Sequence, residues 1–136
     1  MGKRRRAREL AIQVLFHLEF NRCDPSEGFD LICENFKAPA SGRDFSKMLV
    51  LGVCDNKERL DQVISQSSKN WRIDRMTHLD RSILRMATFE MMFVPEIPAR
   101  VSLDEAVEMG KRFGGEDSGR YINGVLDNIY NTILKK

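Results

Sequence analysis

Apolar residues recur at helical spacing in every long segment of this chain, and that pattern limits its fold more than any other feature. Ala7, Leu10, Ala11, Val14, Leu15 and Leu18 stand three or four apart, which puts them on one stripe of a helix. Phe29, Ile32, Cys33 and Phe36 repeat on a second helix, and Phe45, Leu49, Gly52, Val53, Leu60, Val63 and Ile64 on a third. Leu79, Ile83, Leu84, Ala87 and Met91 mark a fourth, Ala106, Val107 and Met109 a fifth, and Ile122, Val125, Leu126, Ile129 and Ile133 the last. No segment sustains the two-residue alternation, rich in β-branched side chains, that a half-buried strand needs. The expected fold class is all-α: two small helical bundles packed as one compact domain.

Local signals divide the helices. Asp24-Pro25-Ser26-Glu27 supplies an N-cap, a proline at the first helical position and an acid in the first turn, all favourable at a helix start. Breakers from Lys37 to Gly42 precede the third helix, which, read as continuous from Phe45 to Ile64, spans on the order of 30 Å at about 1.5 Å per residue. Thr77 to Asp80 reads as a capping box, Pro95 and Pro98 end the helix it opens, and Ser102 with Glu105 forms a second box. Gly114-Gly115 stops the fifth helix before Asp117 or Ser118 caps the last. With 136 residues there is material for one core rather than two independent ones. The reading is a single domain over 1–136, with an N-terminal helical subdomain at 1–70 and a C-terminal one at 71–136, meeting near Lys69 to Arg75.

Charge gives the first functional lead. Lys3, Arg4, Arg5, Arg6 and Arg8 supply five of the 22 basic residues, leaving 17 against 20 acidic ones in the rest of the chain. The positive excess therefore sits at the N-terminus, an asymmetry that suits an anionic partner. If the first helix begins near Arg4, cations there oppose the helix dipole and cost roughly a few tenths of a kcal/mol each. Arginines at such a place make sense if phosphates occupy the space before them, since the planar guanidinium grips phosphate bidentately or stacks on a base. A frayed, solvated basic tail is the plainer alternative.

A second lead is Gly114-Gly115-Glu116-Asp117-Ser118-Gly119-Arg120-Tyr121, a turn feeding a helix N-terminus. Free backbone N–H groups there can receive an oxyanion, Arg120 adds charge and Tyr121 can stack on an unpaired base. An ordinary glycine-stopped junction with Tyr121 half-buried would look the same. Asp80, Arg81, Arg85 and Glu90 share a helix, as an exposed ionic ladder or as a protein-binding face. Met86, Met91, Met92 and Met109 fit core filling or an adaptable docking surface.

Other classes find little support. The glycines match neither the phosphate-binding loop nor the dinucleotide fingerprint, and no HExxH, GxSxG or Cys–His arrangement can be assembled around the solitary His17 and His78. The expectation is a protein that is not an enzyme, with no catalytic residues, metal or cofactor. Cys23, Cys33 and Cys54 form no CxxC pair and read as buried thiols of a reducing compartment. No run approaches the roughly 18 apolar residues of a membrane-spanning helix, so neither secretion nor membrane insertion is expected and the cytoplasm is the expected location.

Together these residues resemble the NusB family over nearly the whole chain. The resemblance runs from Arg4-Arg5-Arg6-Ala7-Arg8-Glu9 through Gly52-Val53, Trp71-x-Ile73-x-Arg75 and Asp80-Arg81-x-Ile83-Leu84-Arg85-x-Ala87-x-x-Glu90. It continues in Val101-x-x-x-Glu105-Ala106-Val107, Lys111-x-Phe113-Gly114, Glu116-Asp117-Ser118 and Asn123-Gly124-Val125-Leu126-Asp127. It implies an all-α fold of two helical bundles and a transcription antitermination factor. With NusE, a small-subunit ribosomal protein, such a factor binds single-stranded boxA RNA in nascent ribosomal transcripts and makes the transcription elongation complex processive and termination-resistant. It further implies RNA-binding roles for Arg4, Arg5, Arg6, Arg8, Asp117, Ser118, Arg120 and Tyr121, and partner-binding roles for Phe16, Asp80 and Arg85.

Four positions depart from the family pattern: Phe16 where tyrosine is common, Leu103-Asp104 for isoleucine-asparagine, and Gly110 for alanine, costing about 1 kcal/mol of helix propensity. Two other functions stay open at this point: a helical protein–protein adaptor, and the NusB-like domain found in ribosomal RNA cytosine methyltransferases. Self-association as a homodimer would leave no signature in the sequence.

Overall fold

Side chains satisfy the first backbone groups at the starts of two helices, Pro25–Asn35 and His78–Phe93. The computed structural model describes residues 2–35, 40–68 and 76–134, and among these there is no strand. Helix α1 spans Gly2–Phe20, α2 Pro25–Asn35, α3 Arg43–Asp55, α4 Lys57–Ser67, α5 His78–Phe93, α6 Ala99–Gly114 and α7 Glu116–Ile129, with a π-helical turn at Tyr130–Leu134. Phe36, Lys37, Trp71, Ile73 and Arg75, used in the sequence reading, lie outside the described residues.

Two starts are as expected. Asp24 Oδ2 accepts from the backbone N–H of Ser26 at 3.1 Å and of Glu27 at 3.2 Å, ahead of Pro25 in the first turn of α2. Thr77 Oγ1 accepts from the N–H of Asp80 at 3.1 Å and caps α5. Two starts differ. Helix α6 begins at Ala99 with Pro98 at its N-cap, so Ser102 stands inside the helix rather than before it. Helix α7 begins at Glu116 after Gly115, with neither Asp117 nor Ser118 as side-chain cap. Gly115 takes φ 95° and ψ 179°, a region open to glycine and strained for other residues, and this separates α6 from α7.

The long third helix expected from the apolar pattern is two helices. Asn56, at φ −115° and ψ 17°, leaves helical geometry between α3 and α4. Short polar side chains such as Asp55 and Asn56 offer the backbone alternatives to the helical ladder, which apolar spacing does not register.

The chain divides into two compact units, Met1–Asp55 and Asn56–Lys136. In the first, α1, α2 and α3 pack pairwise around Ala11, Val14, Leu15, Phe29, Ile32, Cys33, Leu49, Val50 and Val53. The spacing that predicts the stripes is thus the spacing that buries them.

In the second unit α5 touches α4, α6 and α7, and every residue from Ser82 to Met91 is buried. A helix enclosed on all sides must be apolar all round or pair its polar groups internally. Most of α5 is apolar, and two of its charged side chains are paired with other helices. Ile83, Leu84, Met86, Ala87 and Phe89 form core with Leu60, Ile64, Leu103, Met109, Ile122 and Leu126, while Arg85 and Glu90 are tied to neighbouring helices. Arg85 donates from Nε and Nη2 to the two carboxylate oxygens of Asp61 on α4, at 2.7 and 3.0 Å. Glu90, 1% exposed, accepts from Ser102 Oγ on α6 at 2.8 Å. Of the four residues read as an exposed ionic ladder or a protein-binding face, Arg85 and Glu90 are buried in cross-helix ties, Asp80 is buried and Arg81 is half-buried. Met86, Met91 and Met109 are core.

Candidate nucleic-acid interface

Helix α1 runs from Gly2, so Lys3, Arg4, Arg5 and Arg6 occupy its first turns, and all four are exposed. The helical repeat then turns the next two residues inward. Ala7 is core, and Arg8 is only 3% exposed. Arg4 and Arg8, one turn apart, both place the guanidinium carbon over the ring of Phe45 on α3, at 5.2 and 5.5 Å from its centroid. Beside that ring Ser46 Oγ donates to the carbonyl of Ala7 at 2.6 Å in a buried hydrogen bond. The basic end of α1 is thus packed against α3, and the five cations divide into four at the surface and one beneath it.

The second stretch lies in the other unit. Asp117 and Arg120 are exposed and paired with each other one turn apart. Ser118 and Tyr121 are half-buried. Tyr121 Oη lies 3.1 Å from Ser68 Oγ at the end of α4. Burial pushes the Tyr121 phenol above its ordinary value of 10.0, the Ser68 hydrogen bond pulls it down, and the Asp80 charge raises it. It is therefore a neutral phenol at physiological pH, usable for stacking.

Lys111 and Arg112 in the last turn of α6 and Phe113 after them are also exposed, and Arg112 Cζ sits 5.2 Å from the Phe113 ring centroid. In the sequence Lys111 and Phe113 stand out as family markers only. The signal available was the run of two cations and an aromatic immediately before the glycine pair, an arrangement suited to an unpaired base beside a phosphate.

Of the expected partner-facing residues, Phe16 is 46% exposed and its ring lies 5.1 Å from that of Phe20, also exposed, at 57°. Asp80 and Arg85 are buried. Asp80 Oδ1 has no hydrogen-bond partner among the described residues.

The two histidines lie on different helices. His17 Nδ1 lies 3.3 Å from Asn21 Nδ2, and His78 Nδ1 accepts from Arg81 Nη2 at 2.8 Å. Among the described residues no group of three His, Cys, Asp or Glu side chains is arranged to hold a metal. Of the cysteines expected as buried thiols, only Cys33 is fully buried, and burial raises its pKa above 9.0; Cys54 is half-buried and Cys23 exposed. No helix among the described residues is long and apolar enough to cross a membrane.

The family described as the NusB family matches residues 5–131, from within the arginine cluster to beyond the end of α7. The chain belongs to the NusB family.

Its NusB relatives are similar across their length. The transcription antitermination protein NusB of Desulfatibacillum aliphaticivorans is 46% identical over 130 residues, covering 96% of this chain and 91% of the relative. That of Geobacter sulfurreducens is 42% identical and covers 100% and 99%. Among solved structures, NusB of T. maritima shares 34% identity at a TM-score of 0.85, over 95% of this chain and 91% of that one. A crystal structure of the antitermination factors NusB and NusE in complex with double-stranded RNA matches at a TM-score of 0.86 and 26% identity, over 96% and 98%.

Proposed function

We propose that this chain is a non-catalytic transcription antitermination factor of the cytoplasm that binds boxA RNA of nascent ribosomal transcripts together with NusE and holds the elongation complex in a termination-resistant state. One observation carries the RNA half of this reading. Arg4, Arg5 and Arg6 stand exposed on a helix end that is packed against α3, so the cations are presented on an ordered surface rather than on a solvated tail. They sit at the positive pole of the helix dipole, where they gain from an anion and lose without one. The NusB–NusE complex with RNA among the structural relatives supports the same partners here.

Arg8, 3% exposed, is proposed to support the cluster from beneath, its guanidinium against the Phe45 ring. Asp117, Ser118, Arg120 and Tyr121 form the proposed second contact, with Lys111, Arg112 and Phe113 added to it. Phe16 is the proposed centre of the NusE-facing surface; Asp80 and Arg85 have less area to offer there.

Filter binding of single-stranded boxA RNA, with and without NusE, tests the proposal. The expected result is retention by the wild-type chain, enhanced by NusE, and at least a tenfold loss when Arg4, Arg5 and Arg6 are all replaced by alanine. Unchanged retention in the triple variant would remove the RNA role of the cluster. Capture of NusE with no RNA retention would favour the adaptor reading, which the exposed Phe16–Phe20 pair would serve equally well.

A further inference from the structure

Arg4 and Arg8 share the ring of Phe45 on α3. Phe45 belongs to the first turn of α3, and Ser46, its neighbour, is bonded to the backbone of α1. The ring is therefore held against the same turns that carry the arginines. One guanidinium in contact with it is buried and the other is at the surface.

We propose that Phe45 is a positioning residue for RNA capture: seated against the buried Arg8, its ring holds the exposed Arg4 guanidinium in place before a phosphate arrives. The inference rests on the RNA-binding reading of the N-terminal arginines. An arginine drawn to a ring face keeps its N–H donors for a phosphate. A long side chain already restrained loses less freedom on binding than one free in solvent, and that saving appears as affinity. Arg4 is an exposed arginine of the cluster with its guanidinium carbon over this ring.

The test is a double-mutant cycle on the full chain, read as affinity for single-stranded boxA RNA with saturating NusE, with thermal denaturation run on every variant. Phe45→Leu preserves most of the packed volume but removes the π face; it is expected to weaken RNA binding roughly two- to fivefold, the range of an exposed cation–π contact. Phe45→Tyr is expected to restore wild-type affinity, and Phe45→Leu is expected to add nothing in an Arg4→Ala background. Pentafluorophenylalanine at position 45 keeps the ring's shape and reverses its charge distribution, so it should reproduce the leucine result even if Phe45→Leu folds poorly. Equal losses from Phe45→Leu with and without Arg4, or full affinity with the fluorinated ring, would overturn the proposal. If the Arg4, Arg5 and Arg6 triple variant binds RNA normally, the underlying reading fails and this inference with it. If the triple variant is impaired while the ring variants bind normally, only this inference fails.

Discussion

Arg85 and Asp61 meet through two hydrogen bonds between α5 and α4, and the geometry makes each dependent on the other. Replacing Asp61 with alanine leaves a mostly buried guanidinium without its carboxylate, at a cost of about 2–4 kcal/mol, towards the lower end because Asp61 is partly exposed. A urea titration should show the loss, with Asp61→Asn intermediate. Arg8 is buried against the Phe45 ring, and that burial predicts that Arg8→Ala destabilises the chain by about 1–3 kcal/mol through lost packing, whereas alanine at Arg4, Arg5 or Arg6 shifts stability by less than about 0.5 kcal/mol. An equal effect at all four positions would contradict the division of the cluster. Tyr121 adds a pH effect. Its folded pKa is raised above the ordinary value of 10.0, so above pH 10 the unfolded state loses the proton first. Stability is full below that pH and declines as pH rises through and beyond it. Tyr121→Phe should remove this part of the alkaline loss, as followed by denaturation midpoints across that range.

The contact of α6 with α7 explains a residue that helix propensity alone makes look unfavourable. A Cβ at Gly110 would lie 2.7 Å from Ile122 Cδ1 and 3.4 Å from the backbone nitrogen of Gly119. Alanine gains about 1 kcal/mol of propensity and needs only the end of Ile122 to move, so Gly110→Ala should be close to neutral. Valine would drive its methyl groups towards the α7 backbone and should cost about 2–4 kcal/mol. Calorimetry of the two variants checks the contrast, and similar midpoints would refute close packing as the reason for the glycine. Helix α5 teaches a related lesson. Its charged residues follow the spacing of a solvent face, yet it is enclosed by three helices, because the pairing groups are supplied by Asp61 and Ser102 on other elements.

Across the whole chain a net charge of +2 conceals a polar distribution, and that distribution governs how binding responds to salt. For single-stranded RNA each neutralised phosphate contributes about 0.7 to the slope of log affinity against log salt. With Arg8 buried, Arg4, Arg5 and Arg6 together contribute about −2 to the slope of the wild-type chain, and that contribution should disappear in the triple alanine variant. An affinity indifferent to salt would contradict a phosphate-binding surface. The same titration should leave the far-ultraviolet circular dichroism unchanged, since the helices are held by apolar burial, which moderate salt does not weaken.

Periodicity and capping residues were enough to establish an all-helical chain and the starts of α2 and α5, because spacing along a helix and a side chain's reach to its own backbone are local quantities. The concentration of cations at one end is equally local, and so was the region of the proposed interface. Which arginine of that cluster turns inward, that α5 lies at the centre of its unit, and that Ser102 serves Glu90 instead of starting a helix were settled only by packing. Each depends on what a distant segment places opposite the residue, and desolvation leaves no trace in the order of residues along the chain.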